Sequence, residues 1–329
     1  MYFNKNNSFN HGIMFHHFHD KKLHLKTQGS INKKKLKAII DHIGKENIVN
    51  PDTFINLINK KKRNKDEDKK VCFTFDDGLL CQYDIAGELL YKYGIKSFYF
   101  IYSSILDNKP DLLEIYRYYR VNFFKNINSF YSSFFYELKF NLDFYFNLHQ
   151  KLILNTKKKF PFYSYQDIKF RLIRDHYLSA EDYNKIMKIM MARDKFNYRK
   201  FYKKLFLNKL IIKKLIDNGD EIGLHSHTHP TRLEDLSYKE QEKEYNINKL
   251  KLENLLNSEN NMFRSIRSMS HPCGSYNADT LSILRKLNIK IGFKQIMGFE
   301  KDKFMNKVNN SNLEIARIDH ALLVRQLKL

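Results

Sequence analysis

Short apolar runs of strand length alternate with longer amphipathic stretches along much of the chain. Val71–Phe75, Lys96–Tyr102, Glu221–Leu224 and Ile289–Phe293 are rich in aliphatic, β-branched or aromatic residues, which is typical of buried strands. The stretches between them have the period and length of helices. This alternation predicts parallel strands joined by right-handed helical crossovers, an α/β class.

Three of the predicted helices have recognisable ends. Gln82–Tyr93 is closed by Gly94, a residue that favours the left-handed conformation at helix ends. Ser237 and Glu240 form a capping-box pattern that opens a long helix to about residue 257. Asn277 is the expected cap of another helix, which runs to about residue 287.

Polar side chains follow two of the predicted strands directly. Asp76-Asp77-Gly78 comes after Val71–Phe75, and His225-Ser226-His227-Thr228-His229-Pro230 comes after Glu221–Leu224. A carboxylate with two imidazoles suits zinc and leaves a coordination position for water. The second aspartate is then free for proton chemistry. The alternatives are an ordinary Asp-Asp-Gly turn and a solvated histidine loop.

Together, these two segments resemble those of the polysaccharide deacetylase family, the NodB-homology carbohydrate esterases. The resemblance implies that Asp76 is the general base and that Asp77 is the carboxylate ligand of a metal. His225 and His229 are implied as the other ligands, with His227 between them as a non-ligand. It also implies a distorted (β/α) barrel, which the periodicity alone does not predict.

The third motif of the family departs from its usual form. Where the family has Arg-x-Pro-Tyr-Gly, this chain has a serine, Ser270, in place of the arginine and Cys273 in place of the aromatic residue. The first change leaves Asp76 without its usual orienting arginine, since Arg267 is out of register. The resemblance implies that the Cys273 backbone N–H donates to the oxyanion. The candidates for contact with substrate or oxyanion are Cys273, Tyr276, Arg317 and Asp319.

A general acid is needed to protonate the departing amine. The apolar run Ile13–Phe15 ends in histidines, and it resembles the opening strand of circularly permuted family members. This resemblance assigns the acid to His16; its competitors are His17, His19 and His320, and the alternative is a histidine-rich loop without chemistry. Near the C-terminus, Asp319 is expected to end a strand and orient that histidine. Arg317 is expected to pair with an anionic substrate group, and a surface ion pair is the alternative for both residues.

The resemblance covers about residues 11–20, 70–104 and 210–320, so residues 1–329 are expected to form a single deacetylase domain with a helical insertion at 105–202. Tyr116–Leu148 contains 14 Phe or Tyr among 33 residues, and its charges break any run long enough to span a membrane. A satellite aromatic core is expected. A lid over the sugar and a homo-oligomer interface are the alternatives.

Composition limits the partners. The net charge of +22 invites a nucleic-acid hypothesis, but no helix-turn-helix or zinc-finger pattern accompanies it, so no nucleic-acid partner is expected. The basic surface could attract an anionic sugar or an acidic membrane face. Three scattered cysteines and the absence of a signal-peptide pattern at the start predict a cytoplasmic protein.

The expected function is metal-dependent removal of acetate from an N-acetylated sugar intermediate of surface-glycan biosynthesis, whether nucleotide-linked, lipid-linked or free. Zn²⁺ is the expected ion, with Co²⁺, Ni²⁺ and Mn²⁺ as alternatives. Two rival functions remain open. One is an amide hydrolase on the same scaffold that acts on a cyclic amide, and the other is a non-catalytic sugar-binding module.

Overall fold

A computed structural model describes residues 2, 9–27, 29–60, 67, 69–109, 112–159, 163–257, 264–295, 309 and 311–328. By contact density it divides into two compact units, residues 1–111 with 203–329 and residues 112–202. The first unit, the barrel unit, contains all seven strands found in the described residues. They are β1 (His11–Phe15), β2 (Val71–Phe75), β3 (Phe98–Ile101), β4 (Glu221–Leu224), β5 (Ser268–Ser270), β6 (Ile291–Phe293) and β7 (Arg317–Asp319).

The strands form one parallel sheet that is nearly closed into a barrel. Their order is β6-β5-β4-β3-β2-β1-β7, and each neighbouring pair in this order is parallel. The two outer strands approach each other through Ile315, which precedes β7 and bridges to Phe293 on β6. The Ile315 N–H donates to the Gly292 carbonyl at 2.8 Å, and the Lys294 N–H donates to the Ile315 carbonyl at 3.0 Å. The predicted distorted barrel is therefore confirmed.

The N-terminal strand β1 lies between β2 and β7, so the start and the end of the chain meet in the sheet. Its Phe15 is in register with Phe75, the last residue of β2. Because the strands are parallel and in this register, the residues that follow them, His16 and Asp76, emerge at the same edge of the barrel. All five residues of β1 and all five residues of β2 are buried, as expected for parallel strands covered on both faces.

Helices cover the strands, and aromatic side chains fill part of the barrel core. One cluster contains Phe54, Phe98, Phe100, Phe293 and Ile315, each fully buried. Residues 82–93, predicted as one helix, form a π-helical segment (Gln82–Gly87) followed by an α-helix, with Gly94 left-handed at its end. The helices of this unit are α1 (Lys33–Ile43), α2 (Pro51–Asn59), α3 (Glu88–Tyr93), α10 (Lys209–Asp217), α11 (Tyr238–Leu256), α12 (Ala278–Lys286) and α13 (His320–Gln326).

The second unit, the helical unit, has an aromatic core of its own. Phe170 packs edge-on against Phe130 and Phe134, at centroid distances of 5.4 and 5.0 Å. No described helix is both long and apolar enough to cross a membrane. The α-helices of this unit are α4 (Leu112–Asn122), α5 (Ile127–Tyr136), α6 (Leu142–Leu148), α7 (Gln150–Lys159), α8 (Tyr165–Leu172) and α9 (Ala180–Arg193).

Candidate metal centre and active site

Two loops at one edge of the barrel carry the predicted metal ligands. Asp77 follows β2 with a left-handed backbone (φ 75°), and Gly78 continues the turn. His225 follows β4, after which left-handed residues at Ser226 (φ 61°) and His229 (φ 58°) fold the loop back on itself. Non-glycine residues adopt this conformation rarely and at a cost, which points to a functional constraint on both loops.

Asp77, His225 and His229 are buried, and one ligand atom from each lies within 4.8 Å of the others. The Asp77 Oδ1 is 3.3 Å from the His225 Nε2 and 3.4 Å from the His229 Nε2. Ligand atoms about 2.0–2.1 Å from a tetrahedral ion are about 3.3 Å apart. Although burial raises the pKa of Asp77, the adjacent imidazoles of His225 and His229 outweigh it and lower that pKa. The three side chains thus fit a divalent metal.

The surroundings fix the ligands in the orientation that metal binding requires. The Nδ1 of His225 lies 2.8 Å from the Ser270 carbonyl; because that oxygen can only accept, Nδ1 carries the proton and Nε2 is left to coordinate. The buried Asn248 of α11 accepts from the His225 N–H at 2.9 Å and donates to the Ile101 carbonyl at 2.9 Å. These contacts hold the ends of β3 and β4 together.

His227 has partners of its own, as expected of a non-ligand. Its Nδ1 is 2.9 Å from the Ser103 hydroxyl, and burial lowers its pKa. The carboxylate of Glu244 accepts from the backbone N–H groups of His227 and Thr228, at 2.8 and 2.7 Å, and from the Thr228 hydroxyl at 2.8 Å. Glu244 therefore braces the loop between the two histidine ligands.

Asp76, the predicted base, is buried beside the metal ligands and paired with Arg317. The Arg317 Nη1 and Nη2 donate to its two carboxylate oxygens, each at 2.7 Å. The Ser270 hydroxyl donates to the Asp76 Oδ2 at 3.2 Å. Burial alone would raise the pKa of Asp76, but the guanidinium outweighs it and lowers that pKa. The pairing keeps the carboxylate in the ionised form that a base needs.

The structure corrects the expected role of Arg317. Besides its two bonds to Asp76, the guanidinium donates to the Ser270 hydroxyl at 2.8 Å, the Thr74 hydroxyl at 3.2 Å and the Lys294 carbonyl at 3.0 Å. A guanidinium has five N–H groups, and all five have acceptors. With a fully buried side chain, Arg317 is not available to pair with an anionic substrate.

His16 lies at the site, with its Nε2 3.9 Å from the Asp76 Oδ2 and 4.0 Å from the Asp77 Oδ2. His320 is buried instead, with its ring nitrogens 3.0 Å from the Met14 carbonyl and 2.8 Å from the Gly29 carbonyl. The Nδ1 of His19 is 2.8 Å from the Ser30 hydroxyl. Among these three described residues, His16 is the one whose ring lies within 4.0 Å of both aspartates.

The remaining candidates are placed as follows. Cys273 is exposed and left-handed (φ 52°) in the loop after β5. The Tyr276 hydroxyl donates to Glu314 at 3.0 Å, and burial raises the pKa of that tyrosine. Asp319 ends β7 as predicted, but its carboxylate caps α13 by accepting from the Ala321 N–H at 2.6 Å. The expected orientation of the acid histidine by Asp319 is therefore replaced by a helix-capping role.

Gln82 is a positioning residue that the sequence reasoning missed. Its fully buried side chain donates to the Asp76 carbonyl at 2.6 Å and the His16 carbonyl at 3.0 Å, and so joins the ends of β1 and β2. Its place inside an amphipathic helical pattern gave no signal of this. A polar residue one turn after the Asp-Asp-Gly turn is the only sequence feature that could have suggested it.

The fold and the site together define a metal-dependent hydrolase built on an α/β barrel. The family model for polysaccharide deacetylase matches residues 183–292, a range that contains β4, both histidine ligands and the third motif. The Asp-Asp pair lies outside that range, yet the fold brings it to the same edge of the barrel. Over residues 183–292 the chain is therefore similar to the polysaccharide deacetylase family.

Solved structures share the fold at low sequence identity. A Streptococcus pyogenes deacetylase, PplD, in complex with acetate is 17% identical with a TM-score of 0.50, covering 94% of this chain and 92% of that one. IcaB from Ammonifex degensii is 11% identical with a TM-score of 0.51, covering 94% and 91%. A de-N-acetylase from Aggregatibacter actinomycetemcomitans is 12% identical with a TM-score of 0.51, covering 94% and 95%. No curated protein matches the sequence significantly.

Proposed function

We propose that this protein is a metal-dependent N-deacetylase that hydrolyses the acetamide of an N-acetylated sugar to acetate and a free amine. The observation that carries the proposal is the buried Asp77-His225-His229 donor set with a second carboxylate, Asp76, held ionised beside it. In metal-assisted amide hydrolysis, one carboxylate can help to bind the ion and a second can accept a proton from the attacking water.

A divalent ion held by these three residues would supply Lewis-acid polarisation of the amide carbonyl. Asp76 takes a proton from the attacking water as the water oxygen bonds to the carbonyl carbon. The Cys273 backbone N–H is the proposed donor to the oxygen that becomes negative. When the carbon–nitrogen bond breaks, His16 gives a proton to the nitrogen, so that a neutral amine leaves with acetic acid, which then loses its proton to the neutral His16 and becomes acetate; Asp76 returns its proton to solvent.

Zinc is the proposed ion, because two imidazole nitrogens and one carboxylate oxygen form a donor set that it accepts in tetrahedral geometry with one position open. Co²⁺, Ni²⁺ and Mn²⁺ are the alternatives. Metal analysis of the purified protein, followed by removal and replacement of the ion, distinguishes them. Restoration of turnover by Mn²⁺ or Co²⁺ but not by Zn²⁺ would contradict the zinc assignment.

The proposed substrate is a biosynthetic intermediate in the cytoplasm, carrying an N-acetylated sugar on a nucleotide or lipid carrier or free. Two observations support this proposal. The three cysteines, Cys72, Cys81 and Cys273, are scattered along the chain without the spacing of a disulfide framework, which favours a reducing compartment. The net charge of +22 favours an anionic carrier. Cell fractionation tests the location, and recovery of the protein only outside the cytoplasm would contradict it.

The test of function is acetate release from a panel of N-acetylated amino sugars: free, nucleotide-linked and lipid-linked. We expect release from at least one member, loss of release after chelation and recovery on addition of a divalent ion. Ring opening of a cyclic imide, without acetate from any sugar, would identify the rival amide hydrolase. Sugar binding without turnover in the metal-loaded protein would identify a non-catalytic module.

A further inference from the structure

Strand β5 ends in Ser270, where the family motif carries an arginine, yet Asp76 has a bidentate guanidinium partner. We propose that Arg317 on β7 is the positioning residue of the base Asp76, and that Ser270 is the matched replacement that leaves room for it. The function of the motif arginine has in this sense moved from one strand to another. This inference rests on the proposed function and names the residue on which the base depends.

The contacts of Ser270 make the two positions interdependent. Its hydroxyl is 2.8 Å from the Arg317 Nη2 and 3.2 Å from the Asp76 Oδ2, so it accepts from the guanidinium and donates to the carboxylate. An arginine at position 270 would place a second guanidinium where this hydroxyl lies. Two like charges in a buried site repel strongly, and therefore either position can carry the arginine but not both.

The barrel provides space for the stem of Arg317. Gly12 on β1 is its register partner, and a Cβ added at Gly12 would lie 2.9 Å from the Arg317 Cγ and 3.2 Å from its Cδ. Contacts below 3.0 Å are not found for real Cβ atoms, so a side chain at position 12 would displace the arginine. The glycine on β1 is thus a third part of the same arrangement.

The rest of the guanidinium is fixed by the barrel core. Its Nε donates to the Lys294 carbonyl, and its carbon lies 5.9 Å from the centre of the Phe293 ring. Two parallel N–H···O bonds from a planar guanidinium fix the plane of the carboxylate and also favour its charged form. The Asp76 Oδ2 accepts from both Arg317 and Ser270, but Oδ1 accepts from Arg317 and keeps a second lone pair, so the ion pair positions the base without consuming it.

The experiment compares Arg317→Ser, Ser270→Arg and the double variant Arg317→Ser/Ser270→Arg. Each single variant should lower kcat about 100-fold, the cost of misplacing a catalytic group by about 1 Å, with KM changed less than about threefold. The double variant, which has one arginine again, should recover at least about tenfold over either single variant. A structural role for Arg317 predicts no such recovery. Arg267→Ser is the matched control, because Arg267 pairs with Glu221 and Asp52, and it should keep its kcat.

Metal content and thermal unfolding are measured on every variant to separate loss of folding from loss of positioning. Arg317→Lys keeps the positive charge but cannot form two parallel hydrogen bonds to Asp76. This variant replaces Arg317→Ser if the serine variant does not fold, and its kcat should fall at least about tenfold. An unchanged kcat in Arg317→Lys would overturn the proposal. So would a folded, metal-loaded double variant that is no faster than the slower single variant.

A readout without turnover separates this inference from the proposed function. If Arg317 and Asp76 act as a pair, the losses in Tm of Asp76→Asn and Arg317→Ser should be clearly non-additive in the combined variant. That result together with no acetate release from any sugar would contradict the proposed function and leave the pairing intact. Additive losses would overturn the pairing itself.

Discussion

The two units use buried polar side chains in different ways. In the helical unit, Tyr131 donates to the buried Asp167, and Tyr119 donates to the half-buried Asp194, which also pairs with Arg193. In the barrel unit, two carboxylates and three imidazoles converge at the strand ends, with Arg317 as the partner of one carboxylate. Burial of a carboxylate is therefore no sign of function on its own, whereas convergence of several ionisable groups at one edge is.

The largest effect should come from removing a metal ligand of the barrel unit. His225→Ala leaves two of three ligands, so metal affinity should fall at least about 100-fold and turnover should be lost. Metal content after dialysis and acetate release measure the two effects. His227→Ala is the matched control from the same loop and should keep its metal; equal metal binding by His225→Ala and the parent would remove the ligand assignment.

The second prediction separates the two carboxylates of the Asp-Asp pair. Asp76→Asn should keep the metal and lose about 10²–10⁴-fold in kcat, because the amide cannot take a proton from water. It should also lower the Tm, since Arg317 loses its ionic partner in a buried site. Metal content is compared with that of Asp77→Asn, which should lose it. Near-normal turnover in Asp76→Asn would assign the base to another residue.

The third prediction tests the amine-protonating role of His16. His16→Ala should lower turnover on an N-acetyl sugar about 10²-fold or more and leave metal content unchanged. An activated ester of the same acyl group needs less protonation of its leaving group and should be affected less. Equal losses on both substrates would point to a role for His16 in binding, and an unimpaired variant would leave protonation to solvent or another histidine.

The fourth prediction concerns the helical unit. Phe170→Ala empties the centre of its aromatic core and should lower the free energy of unfolding by about 3–5 kcal/mol. Because the metal ligands belong to the other unit, metal content at low temperature should equal that of the parent. Chemical denaturation measures the loss of stability, and metal analysis measures the bound ion. Loss of the ion in folded Phe170→Ala would show that metal binding depends on the helical unit as well.

The last prediction is a pH dependence of stability. Burial lowers the pKa of His271 from its usual 6.5 to about 4, and that of His11 to about 4 as well. The unfolded chain binds protons at these positions below pH 6.5, whereas the folded chain does so only near pH 4. Stability is therefore present above pH 6.5 and falls toward pH 4, by about 3 kcal/mol per residue.

The change His271→Gln removes one of these titrating groups. Between pH 7 and 4, His271→Gln should lose less unfolding free energy than the parent. The difference should be roughly half of the loss that the two histidines cause in the parent. Urea unfolding at several pH values measures it. An identical pH slope in parent and variant would mean that His271 is protonated in the folded protein as well.

Local sequence patterns predicted much of the fold. The capping box of Ser237 with Glu240, the Asn277 cap and the left-handed Gly94 are confirmed, because each depends on residues a few positions apart. The strands β3 and β6 are shorter than the apolar runs that predicted them. Apolar residues outside a ladder can also be buried, so composition does not mark where pairing stops.

The site was predictable where a motif is contiguous and not where partners are distant. Asp77, His225 and His229 were identified and the structure brings them together. Arg317 and Asp76 are 241 positions apart, and nothing local links them; only the β1–β7 pairing brings the arginine to the base. An exposed arginine near a sugar site and a buried one on a carboxylate look the same in sequence.

The most direct test of the metal-centre assignment is diffraction from crystals of the purified protein at an absorption edge of its bound metal. The account predicts a single anomalous peak in the barrel, bonded to Asp77, His225 and His229 at about 2.0–2.2 Å, with Asp76 close by but bound to Arg317. A peak held by other side chains, or bonded to Asp76 in place of Asp77, would contradict it.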